Sequence, residues 1–322
     1  MRSLLRPAAA ALVLTAAGIA GAAGAGASPR VMGEVPPAVP ATGTYLGVDP
    51  HFDPAATPDQ QLVAFQDTVG RKMAIVSLYM SFGGKVPLKT MEDVAAQGSL
   101  PMLSWHCSGL DSAVASGADD ATIRAEATAL AGYGHPVLLR WFWEMNLSTV
   151  AAYAACLGPA GSAAAEYVAA FRHIVTIFRE VGASNVAFVW APSAAYYAPS
   201  AVAFYPGSAY VDWIGFDLYN RPDRPQGFSA TFARAYDVYA SYGKPMALTE
   251  TGAPAGSAGP GGGSPTQAQW LQQIASSLPT SFPEVHAVVY VDASDLADYV
   301  LSGAGLTAFE TMGETTYFSA AS

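Results

Sequence analysis

Charge is scarce in this 322-residue chain, where Asp, Glu, Lys and Arg together make up only 12%. Positive charge is scarcer still: 15 Lys and Arg stand against 25 Asp and Glu, for a net charge of −10. That sign repels phosphate backbones and anionic membrane surfaces, which removes nucleic acid as an expected partner. The five histidines, His51, His106, His135, His173 and His286, never fall at a metal-ligand spacing such as His-Glu-x-x-His, and no Gly-x-Ser-x-Gly elbow occurs. The Gly-rich run from 252 to 263 lacks the Gly-Lys-Ser/Thr ending of a phosphate loop and reads as a rim loop. Metal, nucleotide and serine-nucleophile chemistries therefore lack their usual residues. Cysteines number two, Cys107 and Cys156. In an oxidising compartment they form one bridge; two separate thiols are the alternative.

What the chain has is apolar surface. At 52% hydrophobic it can bury a large core, and barrels of this size run as one domain. Arg2 and Arg6 precede an Ala-rich apolar run, and small residues follow at Ala25-Gly26-Ala27. Residues 1–27 thus read as a signal peptide cleaved after Ala27, which makes the mature protein secreted, extracellular and free of membrane after processing. Residues 28–43 read as a Pro-rich linker. Residues 44–322 are left as a single catalytic-size domain, expected to be a monomer.

Within that domain, near-continuous apolar runs alternate with segments of helical period. Strands are expected at 45–49, 72–81, 100–105, 137–144, 186–190, 211–219, 246–250 and 285–291, each apolar enough to be covered on its outer face. Thr57-Pro58-Asp59-Gln60 and Ser264-Pro265-Thr266-Gln267 each place a hydroxyl, a Pro and a Gln where a capping box wants them. Helical period recurs over 88–97, 123–131 and 166–178, the last with Tyr167, Phe171, Ile174, Val175 and Phe178 on one face. Gly182 and Gly243 stand where helices should end. The first strand leads into Pro50-His51-Phe52-Asp53 rather than a Gly-rich turn, which weakens a doubly wound dinucleotide fold. The expected fold is an α/β single-domain (β/α)8 TIM barrel.

Two strands end on carboxylates. Val137-Leu138-Leu139-Arg140-Trp141-Phe142-Trp143-Glu144 delivers Glu144, and Lys244-Pro245-Met246-Ala247-Leu248-Thr249-Glu250 delivers Glu250 with a turn-forming Gly252 behind it. In a barrel the C-terminal strand ends form the active face, and strands four and seven look at each other across it. Paired acids so placed match the needs of glycoside hydrolysis, where one protonates the leaving oxygen and the other attacks the anomeric carbon or activates water. Trp141, Phe142 and Trp143 beside Glu144 favour its protonated form by desolvation. The plainer reading of Glu144 is half of a buried ion pair with Arg140. Trp105 and Trp190 are candidate sugar platforms, and His106 and Asp49, ending strands three and one, are candidates to reach sugar hydroxyls.

Arg140 to Asn146, Glu166 to Ile174, Asn185 to Trp190, Tyr205-Pro206-Gly207, Tyr210 to Asn220 and Lys244 to Gly252 together resemble glycoside hydrolase family 26, the β-mannanase family, over roughly 45–291. The resemblance implies a retaining barrel enzyme without cofactor. In it Glu144 is the acid/base, Glu250 the nucleophile and Tyr219 the hydroxyl that orients the nucleophile, with Trp143, Arg140 and Asn146 among the substrate-contacting residues. The family usually has His where this chain has Trp143, and an indole cannot accept the hydrogen bonds an imidazole accepts. The tryptophan-rich segment that commonly follows the acid is also missing, with no aromatic until Tyr153. The expected activity is endo-β-1,4-mannanase on a mannan hemicellulose. The alternatives are β-glucanase or β-1,3-xylanase of the same family and, from another class, a polysaccharide-binding barrel that does not cut.

Overall fold

The computed structural model of the chain describes residues 39–50, 56–107, 109–147, 155–194, 201–221, 226–255, 265–294 and 298–319. The leader, most of the linker, Tyr153 and most of the Gly-rich run lie outside the described residues. Eight strands, β1 (Tyr45–Pro50), β2 (Ile75–Ser81), β3 (Leu100–His106), β4 (Val137–Trp141), β5 (Val186–Trp190), β6 (Trp213–Tyr219), β7 (Met246–Gly252) and β8 (Val285–Asp292), pair in chain order as a closed barrel. β8 returns parallel to β1, so the sheet has no edge. This is the (β/α)8 barrel expected.

Each strand splits its side chains between two cores. Tyr45, Ile75, Met102, Leu138, Val189, Trp213, Ala247 and Val289 belong to one cluster that fills the barrel, and alternate residues such as Leu46, Val76, Leu103, Leu139, Phe188, Ile214 and Leu248 pack outward under the helices. That two-sided burial explains why the strands are apolar without alternation.

The helices on the outside are α1 (Pro58–Val69), α2 (Leu88–Ala96), α3 (Asp111–Ala115), α4 (Asp120–Tyr133), α5 (Ala163–Val181), α6 (Phe228–Tyr239), α7 (Gln267–Ser281) and α8 (Gly303–Glu314). Between β5 and β6 the described residues include a 3₁₀ turn, Val202–Phe204. α1 begins as its capping box dictates: Pro58 is the first helical residue and the Gln60 side chain returns to accept the Thr57 N–H at 3.0 Å. α5 buries Tyr167, Phe171, Ile174, Val175 and Phe178 on one stripe, as its period requires, and stops at Gly182 with φ +84°. Gly243, at φ +62°, ends the turn that follows α6.

α7 corrects the second box by two residues. Thr266 is its N-cap and Gln269 the reciprocal partner, with bonds of 2.9 and 3.2 Å. Gln267 is thereby released to turn inward, where it donates to the Ala253 carbonyl and the Tyr290 hydroxyl, both at 3.0 Å. Cys107, just past β3, and Cys156, ahead of α5, are joined by a disulfide with Cα atoms 6.2 Å apart. No helix among the described residues is long and apolar enough to cross a membrane.

Candidate active site

The inward parity that fills the barrel with apolar side chains turns polar at the C-terminal ends. Continuing it along each strand brings Asp49, Tyr79, Ser104, His106, Arg140, Asp217 and Tyr219 to one mouth. Glu250 joins them only because β7 carries one extra residue. Leu248 lies beside Phe216 and Glu250 beside Asp217, so Thr249 is the bulged residue and both Thr249 and Glu250 point inward. Gly215 makes room, since a Cβ there would meet the Thr249 side chain at 2.7 Å.

Arg140 is the hub. Fully buried, it donates from Nε to Ser104 Oγ at 3.0 Å, from Nη1 to both oxygens of Asp217 at 2.7 and 3.0 Å, and from Nη2 to Glu250 Oε1. Burial alone would lower its pKa, yet the flanking Asp217 and Glu250 carboxylates hold it well above the ordinary guanidinium range. Asp217 also accepts from Thr249 Oγ1 at 2.8 Å. Burial drives the Asp217 carboxyl upward, opposed by the Arg140 guanidinium, and Glu250 and Glu144 push it up as well. Glu144 is therefore within electrostatic reach of the same network.

Glu250 is gripped on both oxygens. Oε1 receives Arg140, and Oε2 receives the Tyr219 hydroxyl at 2.6 Å. Tyr219 stacks on Tyr299 with ring centroids 5.0 Å apart. Gly252 serves that stack, because a Cβ there would meet Tyr299 at 2.9 Å. It lies inside β7, so the sequence expectation of a turn-forming glycine is replaced by one of close packing.

Glu144 does not end a strand. β4 stops at Trp141, and the chain enters a loop in which Phe142 and Glu144 adopt φ of +37° and +55°, a region side-chain-bearing residues seldom enter. Backbone bonds hold it there: Phe142 N–H to the Trp105 carbonyl at 3.0 Å and Glu144 N–H to the Ala191 carbonyl at 2.7 Å. Asn146 completes the clamp by exchanging two 2.9 Å bonds with the Ser193 backbone. Such strain costs on the order of 1–3 kcal/mol per residue and persists only where surroundings enforce it. The amide of Asn146, named above among the substrate-contacting candidates, thus fixes this loop.

Arg140, offered above as an alternative ion-pair partner for Glu144, donates to Asp217 and Glu250. Trp143 is half-buried, with the Arg140 Cζ 4.8 Å from its ring centroid and Tyr79 and His106 edge-on at 5.5 and 5.6 Å. Trp105 and Trp190, expected as sugar platforms, are 1% and 0% exposed. Each points outward from its strand, Trp105 stacked on Phe82 and Trp190 against Tyr205 and Tyr239, so neither has a face to offer a sugar. Trp141 and Phe142 are likewise core residues, packed on Trp105 and Tyr167. Sequence reasoning missed Asp217 and Tyr79. The signal for Asp217 was an acid inside an apolar strand, two residues before Tyr219 on the same face, which demands a buried countercharge. Among the described residues no three His, Cys, Asp or Glu side chains converge as a metal site needs.

The model of Glycosyl hydrolase family 26 matches residues 118–257, the stretch that carries Arg140, Glu144, Asp217, Tyr219 and Glu250. Over that stretch, which is less than half of the chain, the protein is similar to glycosyl hydrolase family 26. Asp49, Tyr79 and His106 reach the mouth from outside that matched stretch. Endoglucanase H of Acetivibrio thermocellus is 29% identical over 270 residues, 80% of this chain, and the chain spans 28% of that protein's length. Among solved structures, a Bacillus subtilis mannanase, BCman, superposes with a TM-score of 0.62 at 16% identity over 86% of each chain. A Cellulomonas fimi endo-β-1,4-mannanase double mutant gives 0.62 at 18% identity over 85% of this chain and 71% of the other. These likenesses agree with the barrel that the strand pairing describes.

Proposed function

We propose that the chain is a secreted retaining hydrolase of β-linked polysaccharide. The observation that carries the reading is the hold on Glu250: Arg140 on one oxygen and the Tyr219 hydroxyl on the other leave a fixed carboxylate at the open end of the barrel. A carboxylate fixed in one orientation loses little entropy on attacking C1. Glu144, on its strained loop after β4, donates a proton to the departing glycosidic oxygen, and a covalent glycosyl–Glu250 ester forms. Glu144 then takes a proton from the water that displaces Glu250, returning a product of unchanged anomeric configuration. The substrate side runs along the half-buried Trp143 and the exposed edge of Tyr79, with His106 behind them.

Two backbones have separate support. β-Glucan comes first, because Endoglucanase H is a relative with sequence similarity over 80% of the chain. β-1,4-Mannan comes second, because the superposed structures are those of mannanases. The two sugars differ at C2, beside the position where Trp143 stands in place of the family's usual His. The Cys107–Cys156 disulfide supports export, since such bonds persist in oxidising compartments.

Reducing-end release from barley β-glucan, lichenan, mannan, β-1,3-xylan and laminarin tests activity and backbone together. Proton NMR of the first-formed sugar should show the β anomer before mutarotation. Glu250→Ala should lower turnover by about four orders of magnitude or more. On an activated aryl glycoside, azide should restore that variant and yield an azide of opposite anomeric configuration. Undiminished hydrolysis by Glu250→Ala, or first-formed α product, refutes the mechanism. Binding to the polymers without any release would identify a non-cutting barrel.

A further inference from the structure

Tyr79 stands between two carboxylates with one proton to give. Its hydroxyl lies 2.6 Å from Asp49 Oδ2 and 3.1 Å from Glu250 Oε1. The shorter contact takes the proton, because Glu250 Oε1 already receives Arg140. A phenol oxygen that has donated elsewhere turns lone pairs toward its second neighbour. We propose that Asp49 withholds the Tyr79 proton from Glu250, so that Asp49 and Tyr79 form a positioning pair which sets how tightly the nucleophile's charge is held. The proposal rests on Glu250 being the nucleophile.

The geometry gives the pair a purpose. With Arg140 and Tyr219 donating, Glu250 is fixed; a third full donor would spread its charge into hydrogen bonds that must be given up as the glycosyl ester forms. Asp49 prevents that third bond while its own charge, on the neighbouring face, presses on Glu250. The groups facing Glu250 are Asp49 from β1, Tyr79 from β2, Arg140 from β4 and Asp217 and Tyr219 from β6. Glu144 adds its charge from the loop after β4, acting on Asp217. Tyr299 backs Tyr219 beyond β8, and His106 of β3 stands behind Trp143. Burial of the hydroxyl end, then Glu250 and Asp49, keep the Tyr79 phenol well above its ordinary range, so its proton is always there to assign. Tyr79 is 43% exposed and its ring meets Trp143 in a T-shaped contact, which puts the pair at the open side of the mouth.

The two partners are separable by sign. Asp49→Asn removes a like charge and frees the phenol proton for Glu250, so the nucleophile stays ionised to lower pH. Tyr79→Phe removes the proton that shields Asp49, so the nucleophile protonates at higher pH. The acidic limb of the kcat/KM profile should move down by about one unit in Asp49→Asn and up by about half a unit in Tyr79→Phe. The same opposite movements should appear in the carboxyl titration of Glu250 followed by carbon-13 NMR in full-length protein, its signal assigned by loss in Glu250→Gln. Asp49→Ser carries the same sign as Asp49→Asn and serves if the amide variant does not fold. A merely structural role would depress kcat or stability in both variants without splitting the two limbs. Shifts of the same sign, or no shift in either variant, overturn the pair. If wild type cuts no glycan yet the NMR titrations split, the hydrolase reading falls and the pair stands; turnover with unmoved limbs sinks the pair alone.

Discussion

Two groups of buried acids sit in this barrel, and they live by different rules. At the mouth, Asp217 and Glu250 share the Arg140 guanidinium, with Thr249, Tyr219 and Tyr79 completing their shell. In the outer layer, between the barrel and its helices, Asp111 of α3 and Glu126 of α4 have no such cation. Both Asp111 oxygens, Glu126 Oε2 and the nearby Glu166 Oε2 and Tyr167 hydroxyl lack a hydrogen-bond partner among the described residues. Burial pushes Asp111 to about 8, aided by Glu166, and burial pushes Glu126 to about 8 against one bond from the Gly83 N–H. The lesson is that depth does not decide charge. Where the fold supplies a cation and donors, as Arg140 and Thr249 do for Asp217, they oppose the upward push of burial; where it supplies only apolar walls, burial acts almost unopposed. The first arrangement fixes its acids in orientation; the second leaves polar filler whose cost depends on pH.

The sharpest way to break this contrast is Arg140→Met, which leaves the mouth with two buried carboxylates and no cation. Stability at pH 7 should fall by about 3–5 kcal/mol in urea denaturation and recover partly at low pH, where both acids protonate. A loss no larger than about 1 kcal/mol would mean the network is not the mouth's anchor. Next in size is the double variant Cys107→Ser with Cys156→Ser, which loosens the outer layer beside α3. It should cost about 2–4 kcal/mol. It should also flatten the pH dependence contributed by Asp111 as water reaches it.

Tyr219→Phe tests the mouth without emptying it. Losing one hydrogen bond to a charged group is worth about 1.5–3 kcal/mol, so kcat should fall roughly 10- to 100-fold with stability little changed. The smallest effect is expected in the outer layer. Asp111 and Glu126 are raised in the folded state, so the unfolded chain binds fewer protons above its own carboxylate range, and stability declines as pH rises from about 4 to about 8. Asp111→Asn combined with Glu126→Gln should flatten that decline while changing stability near pH 5 by no more than about 1 kcal/mol. An unchanged slope would show that these acids are not the groups responsible.

Much of this was legible in advance. The barrel followed from eight apolar runs spaced by helical stripes, because two-sided burial leaves an unmistakable composition, and the α1 capping box and the Gly182 stop are local chemistry. Glu144 and Glu250 stood out as acids closing apolar runs. Their local geometry did not. Glu144 reaches the mouth on a left-handed turn past the end of β4, and Glu250 does so through a bulge that breaks strand parity; strict alternation from Leu248 would have turned it outward. Trp105 and Trp190 were misread for the same reason, since one residue of parity separates a sugar platform from a core side chain.

Fold class and the identity of the two acids were therefore set by the chain's own order of residues, through propensity and periodicity that act over a few positions. Which carboxylates share Arg140, and that Tyr79 of the second strand touches the Glu250 of the seventh, were decided by closure of the sheet. Those contacts join residues 110 and 171 positions apart. No local preference encodes such distances; only the register and the one-residue bulge of the closed barrel bring the groups within bonding range.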